Sequence, residues 1–294
     1  MRICGSIERW HTLIQIGLTG WGDHYSIYPS GLSPRDKLKE YAAHYPIVEL
    51  DSYFYAIQPE KNNKKWILET PASFRFVIKA YQAMTGHKRE NEPFASKNEM
   101  FAAYRESIRP YIEAGKLAFV LFQFPPWFDC RKEHIDYLRW CKAKMGGIPC
   151  ALEFRHNSWF NERFRDQTLK FMEAEGWIHS ICDEPQAGER SIPTVLKPIG
   201  TKQVLVRFHG RNVHGWNKAT AGDNWREVRY LYRYNEAELL EWRDHLLKLQ
   251  SMVDHVYVVF NNNSGGDASD NAKQMIELLG IQYDDLAAKQ LGLF

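Results

Sequence analysis

Apolar runs of five to nine residues recur along this 294-residue chain, and amphipathic stretches separate them. The runs are "LIQIG" (13–17), "IVELDSYFY" (47–55), "FRFVIKAY" (74–81), "KLAFVLFQF" (116–124), "CALEFRH" (150–156), "WIHSICD" (177–183), "QVLVRFHG" (203–210) and "HVYVVFNN" (255–262). They are rich in β-branched and aromatic residues, as buried strands are. Between them the spacing predicts helices near 34–44, 61–69, 97–114, 131–144, 161–175, 235–251 and 267–279. Ser33-Pro34 reads as an N-cap followed by proline at the first helical position, and Asp267 opens the last helix after Gly265-Gly266. Only 184–202 lacks a good helix.

Eight strands alternating with helices in a chain of this length predict an α/β fold, a single (β/α)8 TIM-type barrel. An open doubly wound sheet is the rival, but no glycine-rich dinucleotide loop follows the first strand. The expected organisation is an extension over 1–12, the barrel over 13–280 and a tail over 281–294.

Composition narrows the class. The net charge is +2 with 25% charged residues, too balanced to announce a dedicated nucleic-acid-binding domain, so any basic surface is local. Cys4, Cys130, Cys141, Cys150 and Cys182 are odd in number and lack C-x-x-C spacing, which predicts reduced thiols and a cytoplasmic setting. No apolar run reaches the ~20 residues of a membrane helix, and no signal-peptide core is visible.

Strands buried on both faces should be nearly all apolar, and these are not. Alternation puts Glu153 and Arg155 of "ALEFRH" inside the barrel, with Leu152 and Phe154 outside. The same parity directs Glu49, Asp51, Arg75, Lys79, Gln123, Arg207 and His209 inward, with Asn261 or Asn262. On the sixth strand it is applied to His179 and Asp183. Buried charges must be paired or bound to something. Internal ion pairs such as Glu153–Arg155 or Glu49–Lys79 are one account. A site at the strand C-termini is the other, since barrels do their chemistry there.

No facing carboxylate pair suggests a glycosidase, and no G-x-S-x-G elbow suggests a serine nucleophile. Carboxylates mixed with cations suit an anionic, phosphate-containing substrate held by Lys79, Arg155 and Arg207, with Glu49, Glu153, Asp183 and His209 as catalytic groups. One divalent metal ion on Glu153, Asp183 and His209 is a further reading. Trp21, Tyr53, Tyr55, Trp127, Phe128, Trp159 and Trp216 crowd the expected rim, as core plugs or as stacking platforms. Arg211 and His214 lie on the loop after strand seven, a candidate phosphate lid.

The ordered stretches "IGLTGWGDHYSIYP", "VELDSYFYAIQP", "TPASFRFVIKAYQAMTGH", "FQFPPWF", "ALEFRHNSW", "CDEP", "RFHGRN" and "FNNNSGGDASDNA" resemble the YecE/YunF-like proteins, domain of unknown function family 72, and its YunF-like branch in particular. The resemblance runs from about Ile16 to Ala272 and implies a TIM barrel without implying an activity. Its motifs pick out Glu49, Lys79, His87, Glu153, Arg155, His156, Asp183, Arg207, His209 and Asn261. Asp51 departs from the family's usual E-x-N-S, which argues against a catalytic Asp51. His87, His156, Asn261, Trp21 and Trp159 join the expected substrate-binding set.

The chain ends "QLGLF", which resembles the pentapeptide that docks bacterial proteins on the replication sliding clamp, with Gly292 in place of Ser or Asp. Gln290, Leu291, Leu293 and Phe294 would be the partner-binding residues. On that reading the leading expectation is a DNA-associated hydrolase recruited to the clamp. The alternatives are a metabolic barrel enzyme acting on a phosphorylated or carboxylated small molecule, and a non-catalytic clamp-tethered DNA-binding or scaffold protein.

Overall fold

The structure is a computed structural model that describes residues 13–88, 93–200, 202–216 and 228–288. Eight parallel strands close into one barrel in sequence order. They are β1 (Leu13–Thr19), β2 (Ile47–Leu50), β3 (Arg75–Lys79), β4 (Leu117–Gln123), β5 (Cys150–Glu153), β6 (Ile178–Asp183), β7 (Gln203–Phe208) and β8 (His255–Phe260). Among the described residues the helices are α1 (Lys37–Tyr41), α2 (Ser52–Tyr55), α3 (Glu60–Leu68), α4 (Lys97–Glu113), α5 (Lys132–Met145), α6 (Arg165–Ala174), α7 (Val213–Trp216), α8 (Glu236–Gln250) and α9 (Asp267–Leu279).

Most boundaries follow the hydrophobic pattern, and the departures have local causes. "DSYFY" does not continue β2. It leaves the barrel wall as a helical turn, with the Phe54 amide donating to the Asp51 carbonyl at 2.9 Å. The first helix starts at Lys37 rather than after Ser33, because 33–36 forms a turn closed by Asp36 N–H to Ser33 O at 2.9 Å. The last helix begins at Asp267 as expected, after Gly266 at φ 82°, a conformation that favours glycine.

Two apolar layers hold the wall. Outward-facing residues such as Leu18, Val48, Ile78, Phe122 and Phe260 pack under the helices. Inside, Ile47, Val77, Phe119, Leu121, Leu205 and Tyr257 fill the barrel's lower half. Gly17 permits the close approach of β1 to β2: a Cβ there would lie 2.0 Å from the Ile47 carbonyl oxygen. The described cysteines are free thiols. No helix among the described residues is long and apolar enough to cross a membrane.

Candidate functional site at the barrel mouth

Above the apolar plug lies a ring of buried charge. Arg207 spans it, with Nε and Nη2 donating to Glu49 at 2.9 and 2.7 Å, and Nη1 to the two Glu153 oxygens at 3.0 and 2.8 Å. Arg155 Nη2 lies 2.8 Å from Glu153 Oε1, and its Nη1 donates to Glu184 Oε2 at 2.5 Å. Glu153 also accepts from Gln123 Nε2 at 2.6 Å and Ser180 Oγ at 3.0 Å. Burial opposes a charge on Glu153, but Arg207 and Arg155 outweigh it and hold the carboxyl well below its usual range. Glu184 balances differently: burial pushes it up to about 7 despite Arg155 and the Ile192 amide.

His209 is locked within this ring. Its Nε2 accepts from Arg155 Nη2 at 3.0 Å, with Arg207 Nη1 at 3.3 Å. Guanidinium nitrogens only donate, so Nε2 carries a lone pair and the neutral ring's proton sits on Nδ1. Asn261 Nδ2 lies 3.0 Å from Nδ1 as placed, and turning the amide over brings its oxygen there to accept the Nδ1 proton. Glu153 at 3.5 Å from Nε2 is then a neighbour, not an acceptor of a proton from it. Burial and the two arginines hold the imidazole pKa far below its ordinary value.

The donor atoms of Glu153, Cys182 and His209 lie within 4.8 Å of one another. They do not fit a divalent ion as arranged. Two guanidinium groups already occupy the His209 lone pair and the Glu153 oxygens, and burial pushes the Cys182 thiol well above its ordinary pKa. Asp183, expected among the ligands, is not in this group.

Strand six is where parity misleads. Cys182 pairs with Arg207 and Ser180 with Leu205, so the even-numbered positions face inward with those residues. Asp183 points the other way and binds Arg211 Nε at 3.1 and 3.0 Å, with Arg211 reaching Glu241 on α8. His179 also faces the helices, its Nδ1 bonded to the Lys197 carbonyl at 2.8 Å against the Phe160 ring. Arg211 is thus an outer brace, and Asp183 does not converge with Glu153, Lys79 and His209.

The open cleft lies at the strand C-termini, beside the charged ring. It encloses about 1060 Å³, lined by residues that include Thr19, Asp51, Lys79, Gln82, His87, Gln123, Trp127, Arg229, Tyr230 and Asn261. Lys79 forms no hydrogen bond or ion pair from its ammonium among the described residues; its Nζ lies 5.0 Å from the centroid of the Phe54 ring. Burial lowers its pKa, with Glu49 opposing that shift. Burial raises Asp51 despite Lys79. His87, bonded through Nδ1 to Thr85 Oγ1 at 2.8 Å, is driven to about 3 by burial and by Lys79, Arg155 and Arg229. Tyr230 stands apart. Burial alone would raise its phenol, but Arg229, Arg155, Lys79 and Arg207 pull it below its ordinary value.

Other expected binding residues have structural duties. Trp159 is a core plug, stacked 4.0 Å from Phe154 and donating to the Phe128 carbonyl at 2.6 Å. His156 caps the following 3-10 turn through Ser158 N–H at 3.2 Å. Trp21 packs edge-on against Trp66 at 5.2 Å. Sequence reasoning missed Ser180, Cys182, Glu184, Arg229 and Tyr230. The phase of β6 was ambiguous, and Arg229 and Tyr230 lie far along the chain from any strand end.

A model of the family described as "Protein of unknown function DUF72" matches residues 15–292. The UPF0759 protein YunF of Bacillus subtilis is 63% identical over 282 residues, covering 96% of this chain and 100% of that one. The chain belongs to the DUF72 family. A crystal structure of a DUF72 family protein from Enterococcus faecalis superposes with a TM-score of 0.89 at 39% identity, over 95% of this chain and 100% of that one. A second, from Thermotoga maritima, gives 0.77 at 30% identity, over 92% and 100%. These relatives agree with the barrel, and none of their names carries an activity.

Proposed function

We propose that this barrel is an enzyme acting on an anionic, phosphate-containing substrate held at its mouth. One observation carries the reading. Arg155 and Arg207 are saturated by carboxylates, whereas the Lys79 ammonium lines a large open cleft with no anionic partner in hydrogen-bonding reach among the described residues. A half-buried ammonium that lines open space without an ion pair is a ready contact for an anion. Asp51 and Tyr230, on the same cleft, have shifted pKa values that suit proton transfer. Asp51 stands where the family usually has Asn, but in this chain its raised pKa and its place on the cleft make it the base: it takes the proton from an attacking water, Lys79 faces the developing charge, and Tyr230 protonates the departing oxygen. Hydrolysis of a phosphodiester is the reaction these roles fit.

The test is calorimetric titration of inorganic phosphate and thymidine 5′-monophosphate into wild type and Lys79→Met. Binding that is lost in the variant supports the reading. Equal binding by both proteins, or none by either, ends it.

The terminal residues Gln290 to Phe294 motivate a separate proposal, recruitment to the sliding clamp, which would bring the barrel to DNA. They lie outside the described residues.

A further inference from the structure

A second cleft adjoins the first. It encloses about 590 Å³ between the segments that follow β3 and β4, and its lining includes Thr85, Lys97, Phe128, His134 and Tyr137. Trp127 lines both clefts. That side chain is 49% exposed and sits edge-on to His87, with ring centroids 5.9 Å apart. Half of the Trp127 side chain stays open to the clefts, whereas most large aromatics among the described residues are buried.

Each cleft presents a lysine beside an aromatic ring. Lys79 lies 5.0 Å from the Phe54 ring centroid, and Lys97 lies 4.6 Å from that of Tyr137. Neither ammonium forms an ion pair among the described residues. Glu133 is the acidic member of the second lining. Each volume falls within the ~300–1,000 Å³ range of a single small-ligand site, or close to it, so the pair has room for more than one unit.

We propose that the two clefts are successive subsites for one single-stranded oligonucleotide, with Lys79 and Lys97 facing phosphates and Trp127 stacking a base between them. This rests on the phosphate-binding reading of the mouth and extends it to a substrate class. An apolar groove alone would suit a peptide. A cation in each cleft, with one exposed indole lining both, suits a chain that repeats negative charge and planar rings.

The experiment compares thymidine 5′-monophosphate, tetrathymidylate and an uncharged peptide nucleic acid tetramer of the same bases by calorimetric titration at fixed low salt. Wild type is expected to bind the tetranucleotide at least tenfold more tightly than the monophosphate. Lys97→Ala should reduce that ratio below threefold, and the uncharged tetramer should gain nothing from its length. Lys97 is exposed at the start of α4, and circular dichroism checks that the variant stays folded. Equal affinity for monomer and tetramer overturns the second subsite, as does a ratio that Lys97→Ala leaves intact. A length gain shared by the uncharged tetramer overturns the assignment to a polyanion. Lys79→Met separates the two readings, since it should weaken both nucleotides together. Monophosphate binding that ignores Lys79 fails the mouth reading itself.

Discussion

The charged ring and the open mouth are neighbours in one barrel, yet they treat charge in opposite ways. In the ring, Glu49, Glu153 and Glu184 face Arg155 and Arg207, and every guanidinium has a carboxylate within 3 Å. At the mouth, Lys79 has none, while Asp51, His87 and Tyr230 are all shifted from their ordinary pKa values. The difference teaches that polar residues pointing into a barrel are not equivalent evidence for a site. A satisfied network is part of the core, and a group left without a partner beside open space is the better indication of a ligand.

Breaking the ring should have the largest effect. Arg207→Ala leaves Glu49 and Glu153 buried beside one fewer cation, and a loss of about 3–5 kcal/mol is expected by denaturant unfolding. A loss under about 1 kcal/mol would mean that the ring is solvated and not core-like.

Acidification should rank next. His179 is held near 4 by burial, and His209 lies well below its usual value through burial and the two arginines. Both are lowered in the folded state, so their contribution is present above the unfolded value of 6.5 and is lost as pH falls towards the folded values. At pH 5 the unfolded chain binds a proton on each that the folded chain refuses, costing about 2 kcal/mol apiece. His87, driven to about 3, adds a term of the same sign, and Glu184, raised to about 7, adds one of the opposite sign, so the His209 term is read by difference: the loss of stability from pH 7 to 5 should be smaller in His209→Gln than in wild type, and an equal loss in both would contradict the neutral assignment of His209.

The mouth should respond in function more than in stability. Lys79→Met removes a half-buried charge that forms no ion pair among the described residues, so its melting temperature should match or exceed that of wild type while phosphate binding disappears. A large drop in melting temperature would move Lys79 into the structural ring. A subtler test of the same contrast is ultraviolet titration of the phenols. Tyr230 should ionise before the buried tyrosines such as Tyr41, Tyr104 and Tyr234, which burial raises. Absence of an early phase that vanishes in Tyr230→Phe would remove it from the proposed chemistry.

The smallest stability change is expected from deleting residues 290–294. Clamp binding at about micromolar to 100 micromolar affinity should be lost, with little effect on melting. Equal binding with and without the peptide would remove the clamp from consideration.

Hydrophobic periodicity alone was enough for the barrel and its element order, because a strand buried on both faces and an amphipathic helix leave different spacings. Strand parity also sufficed for Glu49, Lys79, Glu153, Arg207 and His209, where apolar residues mark the opposite face without ambiguity. It failed on "WIHSICD", since both phases of that strand carry polar residues and either could face the core. Only the register of β6 on β7 decided that Cys182 points in and Asp183 out. Likewise, residue types could say that arginines and glutamates share the interior, but not which were already partnered. That depends on side chains placed to within a few tenths of an ångström, on residues 158 positions apart in the case of Arg207 and Glu49. Closure of the barrel sets those distances, and no local pattern in the chain encodes them.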